Sequence, residues 1–144
     1  MVHVHTETLI HVPRAVVAEY ASNPDKAQHW YANITSATWQ TPRPLGVGSR
    51  VAFTARFLGR ELEYVYAFTE LVPGERLVMR TSQGPFPMET TYTWSDDGGS
   101  TRMILSNRGE PAGFSTLAGV FMAPMMRRAM RKDLKVLKTI LESR

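Results

Sequence analysis

The chain has 144 residues, 43% hydrophobic and 21% charged, with a formal net charge of +4 and no cysteine. That length suits one domain spanning residues 1–144 with a single sizeable core, and the composition is ordinary for a globular protein. The missing cysteines exclude a disulfide framework, a thiolate metal site and a cysteine nucleophile, and they fit a reducing cytoplasm.

The first stretch, "VHVHTETLIHV", alternates. Val4, Thr6, Thr8 and Ile10 share one face, with His3, His5, Glu7, Leu9 and His11 on the other, as in a first strand. It lacks a basic segment followed by an apolar run, so no signal peptide is expected, and no stretch approaches the length of a membrane span. Pro13 then opens a short helix, "PRAVVAEYA". "SNPDKAQHW" reads as a second, capped by Ser22 or Asn23 with Pro24 in its first turn. "NITSATWQ" is a strand, and "TPRPLGVG" is a loop.

Five further strand-like runs follow. "SRVAFTARF" places Val51, Phe53, Ala55 and Phe57 together, and "ELEYVYAFTEL" returns after a turn at Leu58–Gly59–Arg60. "ERLVMRTSQ" follows the Pro73–Gly74 turn, and "PFPMETTYTWS" sets Phe86, Met88, Tyr92 and Trp94 on one face. "DDGG" signals a hairpin, and "STRMILSNRGE" completes about seven strands. The short connections imply antiparallel neighbours.

From Phe114 the period becomes helical, and Pro124 is expected to start a helix or kink it, with 114–123 as a separate turn. Met126, Met130, Leu134, Leu137, Ile140 and Leu141 then line one face, opposite Arg127, Arg128, Arg131, Lys135 and Lys138. Residues 127–144 hold seven Lys or Arg against Asp133 and Glu142, a net +5 that leaves −1 for the rest of the chain. The order predicts an α+β fold. A strongly curved antiparallel sheet carries two short helices after its first strand and a long C-terminal helix over its concave face. One helix cannot close a curved sheet everywhere, so an apolar cavity between them is expected.

The sequence resembles the START-like, or SRPBCC, superfamily with the helix-grip fold, and within it the polyketide cyclase/dehydrase and lipid-transport branch. The resemblance covers nearly the whole chain and rests on "HVPRAVVAEYASNPDKAQHW", "LGVGSRVAF", "FTELVPGERLVMRTSQGPFP", "DDGGSTRMIL" and "RKDLKVLKTILES". These are turns, strand starts and helix faces, so they specify fold better than chemistry. The resemblance implies a ligand cavity beneath the last helix and members that are lipid carriers, receptors or aromatase/cyclases.

Candidate ligand contacts follow from that placement. Met122, Met126 and Met130 recur at i, i+4 and i+8, with Met125 flanking, and Met79, Met88 and Met103 come from three strands. Methionine fills irregular space, so these residues form either ordinary core or an adaptable cavity wall. Phe53, Phe57, Tyr64, Tyr66, Phe68, Phe86, Tyr92 and Trp94 alternate on their strands. Tyr64, Tyr66 and Tyr92 carry hydroxyls that need partners when buried, which makes them candidates for holding a ligand oxygen. Trp30 is read as guarding the cavity mouth or as a hydrophobic plug.

Asp133 falls within the apolar stripe, and Ala129, Met130, Val136 and Leu137 at i±3 and i±4 offer it no cation. It is read as a structural or rim carboxylate, or as a polar anchor or general acid/base whose signature would be a raised pKa. Asp133, Tyr64, Tyr66 and Tyr92 are therefore the weak catalytic candidates. The His3–His5 pair points outward, so no metal site is expected, and neither a phosphate loop nor a nucleophile elbow is present. No cofactor is implied.

The basic helix face reads first as solvated and second as attracted to an anionic membrane surface. It lacks the aromatic interleaving of a nucleic-acid interface. Two functions stand: binding of a small hydrophobic molecule such as a lipid or polyketide, and a cyclase/dehydratase reaction in the same cavity. A regulatory role with a vestigial pocket is the third. Monomer and homodimer both remain open.

Overall fold

The computed structural model describes residues 2–57, 59–83, 87–109 and 116–144, and side chains at all of these except 57, 83 and 116–122. Strand β1 (Val2–Ile10) leads into α1 (Arg14–Ser22), a 3-10 turn (Pro24–Lys26) and α2 (Ala27–Trp30). The strands β2 (Ile34–Trp39), β3 (Arg50–Phe57), β4 (Arg60–Val72), β5 (Arg76–Gln83), β6 (Met88–Asp97) and β7 (Ser100–Gly109) follow, then α3 (Thr116–Glu142). The Asn23 side chain accepts the Asp25 N–H at 3.0 Å, so Asn23 is the cap of the second helical segment.

All seven strands join one antiparallel sheet in the order β1-β7-β6-β5-β4-β3-β2. The β6–β7 turn is closed by Gly98 and Gly99, both at positive φ, the conformation a two-residue hairpin of this kind demands. Register shifts leave one extra residue on each of three strands: Ser82 on β5, Thr69 on β4 and Thr35 on β2. Such irregularities bend strands, and these three lie from the middle of the sheet to the edge away from β1.

One face of the sheet carries the core. Val4, Ile10, Val51, Phe53, Phe68, Leu77, Met79, Tyr92, Trp94, Met103 and Leu105 are buried, in one cluster with Met130, Leu134, Leu137 and Leu141 of α3. The helix thus sits over the concave face, as the alternation and the last helix's stripe predict. It packs along β1 and against α2, while α2 packs on β2. Because β1 and β2 are the two edges of the sheet, the helices bridge it edge to edge.

Two expectations are corrected. The helix runs from Thr116 to Glu142 with Pro124 inside it, so there is no separate preceding turn. Proline removes one donor and crowds the preceding turn, but a helix with a long packed face tolerates that cost. Lys138 does not belong to a freely solvated face. Its ammonium donates to the Leu9 carbonyl and to Glu142, whose carboxylate also accepts the His11 N–H at 2.8 Å. These bonds tie the end of α3 to the end of β1. No helix is long and apolar enough to cross a membrane among the described residues.

Candidate functional site

Strand alternation sends Phe53 of β3, Tyr64 and Tyr66 of β4, Thr90 and Tyr92 of β6 and Asn107 of β7 to the concave face. The register supports this: Phe53 pairs with Tyr64, Val51 with Tyr66, and Thr90 with Asn107. From the other side α3 contributes Met126, Met130 and Asp133, at spacings of four and three that keep them on the buried stripe. The chain leaving α2 contributes Tyr31.

The polar groups form two small networks in an apolar surround. The Tyr31 and Tyr92 hydroxyls are 2.5 Å apart. The Thr90 hydroxyl donates to Asn107 Oδ1 at 2.5 Å and is hydrogen-bonded to the Tyr66 hydroxyl. Trp30 lies with its ring centroid 4.2 Å from that of Tyr31 and 5.8 Å from that of Tyr92. Phe53 meets Tyr66 edge-on at 5.8 Å, and Tyr64 stands 6.4 Å from Tyr66. Burial raises the Tyr64 and Tyr92 hydroxyls above the usual phenol range and pushes Tyr66 up to about 12. Tyr31 is raised well above its ordinary range, by burial first and then by Tyr92 and Asp133 beside it.

Asp133 is the carboxylate of the cluster. It is 6% exposed, and Oδ1 accepts the Ala32 N–H at 3.1 Å. Burial raises its pKa to about 6, against the lowering effects of the Ala32 bond and the Lys132 charge. Oδ2 has no hydrogen-bond partner among the described residues, yet it is not one of the fully enclosed orphan atoms. It therefore keeps some contact with solvent. The fully enclosed orphans are Thr6 Oγ1 and the indole nitrogens of Trp30 and Trp94.

The candidates divide by depth. Phe53, Phe68, Met79, Trp94, Met103 and Met130 are buried in the core cluster, while Tyr64, Tyr66, Met88 and Met126 are only half-buried. Trp30 is 1% exposed, which places it in the packed wall and not at a rim. Met125, by contrast, is 58% exposed on the outside of the helix. The expected contributions of Phe57, Phe86 and Met122 lie outside the described residues.

Three members were not singled out from sequence. Tyr31 follows a four-residue helix, where no periodicity marks a side chain as inward; its place beside Trp30 was the available hint. Thr90 and Asn107 do sit on inward strand positions, but both residue types are ordinary on half-buried strands.

The outer face holds a different feature. A polar depression of about 330 Å³ is lined by His3, His5, Glu89, Ser106 and Arg108 among others. Glu89 is paired with Arg80 at 3.3 Å and Arg108 at 3.2 Å. No group of three or more histidine or carboxylate side chains is placed to hold a metal among the described residues.

The family profile described as polyketide cyclase/dehydrase and lipid transport matches residues 1–142. The chain belongs to this family. No curated protein sequence matches it. Among solved structures it is similar to TTHA0849 from Thermus thermophilus, at 19% identity and TM-score 0.83, covering 98% of this chain and 97% of that one. A START superfamily protein from Mycobacterium smegmatis aligns at 14% identity and TM-score 0.75, over 98% and 97% of the two chains. The Zhui aromatase/cyclase from Streptomyces sp. R1128 aligns at 15% identity and TM-score 0.79, over 97% and 93%. At such identities the likeness is one of fold: the chain shares the helix-grip architecture of these proteins. The family spans both carriers and enzymes, so the choice between them rests on the chain's own residues.

Proposed function

We propose that the protein binds a small, mainly apolar molecule between the sheet and α3, with the Tyr31–Tyr92–Asp133 cluster at the polar end of the site. The observation that carries this reading is Asp133. A carboxylate with an unpartnered oxygen, set against an apolar core, is a costly arrangement that a bound polar group would relieve. The half-buried Tyr64, Tyr66, Met88 and Met126 supply adaptable walls on both sides, and apolar burial supplies the affinity. Family membership supports the same class of ligand.

The test is native mass spectrometry of the purified protein, followed by denaturing extraction. A co-purified apolar molecule of a few hundred daltons is the expected result. A clean apo mass, together with no thermal shift from a panel of lipids and aromatic compounds, would contradict the proposal.

One observation favours a second reading, a cyclase/dehydratase acting in the same space. A carboxyl raised to about 6 exchanges its proton near neutral pH, as a general acid/base must. On that reading Asp133→Asn abolishes turnover of a polyketide-like substrate while its binding persists. On the carrier reading there is no turnover to lose.

A further inference from the structure

The interior distribution of charge restricts what the ligand can be. All 17 Lys and Arg fall within the described residues, and none of them is buried. The four histidines are exposed as well. Among the described residues the buried charge-bearing group near the tyrosines is Asp133, and its nearest cationic influence is the exposed Lys132 next to it in the chain.

The hydroxyl pair completes the picture. Tyr31 and Tyr92 share one hydrogen bond, which uses one of their two hydrogens and leaves one to donate elsewhere. Asp133 Oδ2 is an acceptor without a partner among the described residues. A group that both donates and accepts satisfies the two at once. A carboxylate or phosphate can only accept, and it would enter beside a like charge with no buried cation to offset it.

Building on the binding site proposed above, we propose that it takes a hydrophobic molecule whose polar end is a neutral hydroxyl, an alcohol or phenol, and that Asp133 selects against the anionic counterpart. The groups facing Asp133 are Tyr31 from the chain after α2, Tyr92 from β6 and Lys132 on its own helix, with the Ala32 N–H on Oδ1. No one of them supplies a buried positive charge.

The experiment uses the full chain and matched probes of two shapes: 2-naphthol, 2-naphthoate and naphthalene, and dodecanol with dodecanoate. Affinities are read by tryptophan fluorescence and calorimetry near neutral pH, for the parent and Asp133→Asn. Asparagine keeps an oxygen for the Ala32 N–H while removing the charge. The proposal expects each alcohol or phenol to bind about tenfold or more tightly than its carboxylate, as like-charge repulsion in a low-dielectric site requires, with Asp133→Asn narrowing that gap. Carboxylates that bind as tightly as the hydroxyl compounds, or a gap untouched by Asp133→Asn, overturn this inference and leave the apolar site standing. If neither shape of probe binds in any form, naphthalene included, the site itself is refuted and the inference falls with it.

Discussion

At the scale of single residues the proposed site rests on Asp133 and the Tyr31–Tyr92 pair. In the unfolded chain the Asp133 carboxyl titrates near 3.8, and in the folded protein near 6. As pH rises through that window the unfolded state releases its proton first. Folded stability therefore falls between the two values and stays lower above them. Asp133→Asn removes this loss. The variant should be more stable than the parent near neutrality, by on the order of 1 kcal/mol once solvent screening is allowed for, and the difference should shrink toward the acid end. Urea unfolding across the window checks it, and a pH-independent difference would refute it.

The Tyr31–Tyr92 bond gives a second test at this scale. Either Tyr→Phe change alone leaves the other hydroxyl buried and unpaired, at a cost of about 1–3 kcal/mol. The double change removes both groups and should cost less than the two singles added. Additive losses would mean the hydroxyls do not act as a pair. Tyr92 was visible from sequence, because alternation with Trp94 fixes its face. Tyr31 was not, because the turn after a short helix has no repeat from which to read direction.

At the scale of elements, the strands were the most legible part. Period-two alternation and the Asp-Gly-Gly and Pro-Gly turns define them without reference to tertiary contacts. The last helix was legible in its buried stripe, but the helix start expected at Pro124 was wrong: the helix already runs from Thr116. Local rules favour a start at such a proline, whereas packing of the downstream face carries the helix through it. Exposed Pro124 should therefore be a weak point, and Pro124→Ala should stabilise the protein by about 1–3 kcal/mol in denaturant unfolding. A loss of stability would show that the proline shapes the helix to fit the sheet. Leu137 lies fully buried in the same stripe, and Leu137→Ala should cost about 2–5 kcal/mol by the same measurement. Lys138 was misread for a related reason. A helical wheel shows a cation on the outer face but cannot show that the end of β1 passes within its reach.

For the whole molecule, the decisive feature is closure. The sheet's two edges are bridged by α2 and α3, and the bonds made by the segment after α2, Ala32 to Asp133 and Tyr31 to Tyr92, involve the polar groups of the proposed site. A ligand bound there to the folded state alone would raise its stability by mass action. Which side chains share the concave face followed from the sequence. How closely the two halves approach, and which polar atoms remain unpaired, depends on sheet curvature that no local pattern encodes.

The most direct test of a site between sheet and helix is a methionine-methyl NMR titration with dodecanol. Met126, Met130 and Met88 face the proposed site from both sides, and Met125 lies outside it one residue from Met126. The account predicts shifts at Met126, Met130 and Met88 with Met125 unmoved. Shifts confined to Met125, or none at saturating ligand, would contradict it.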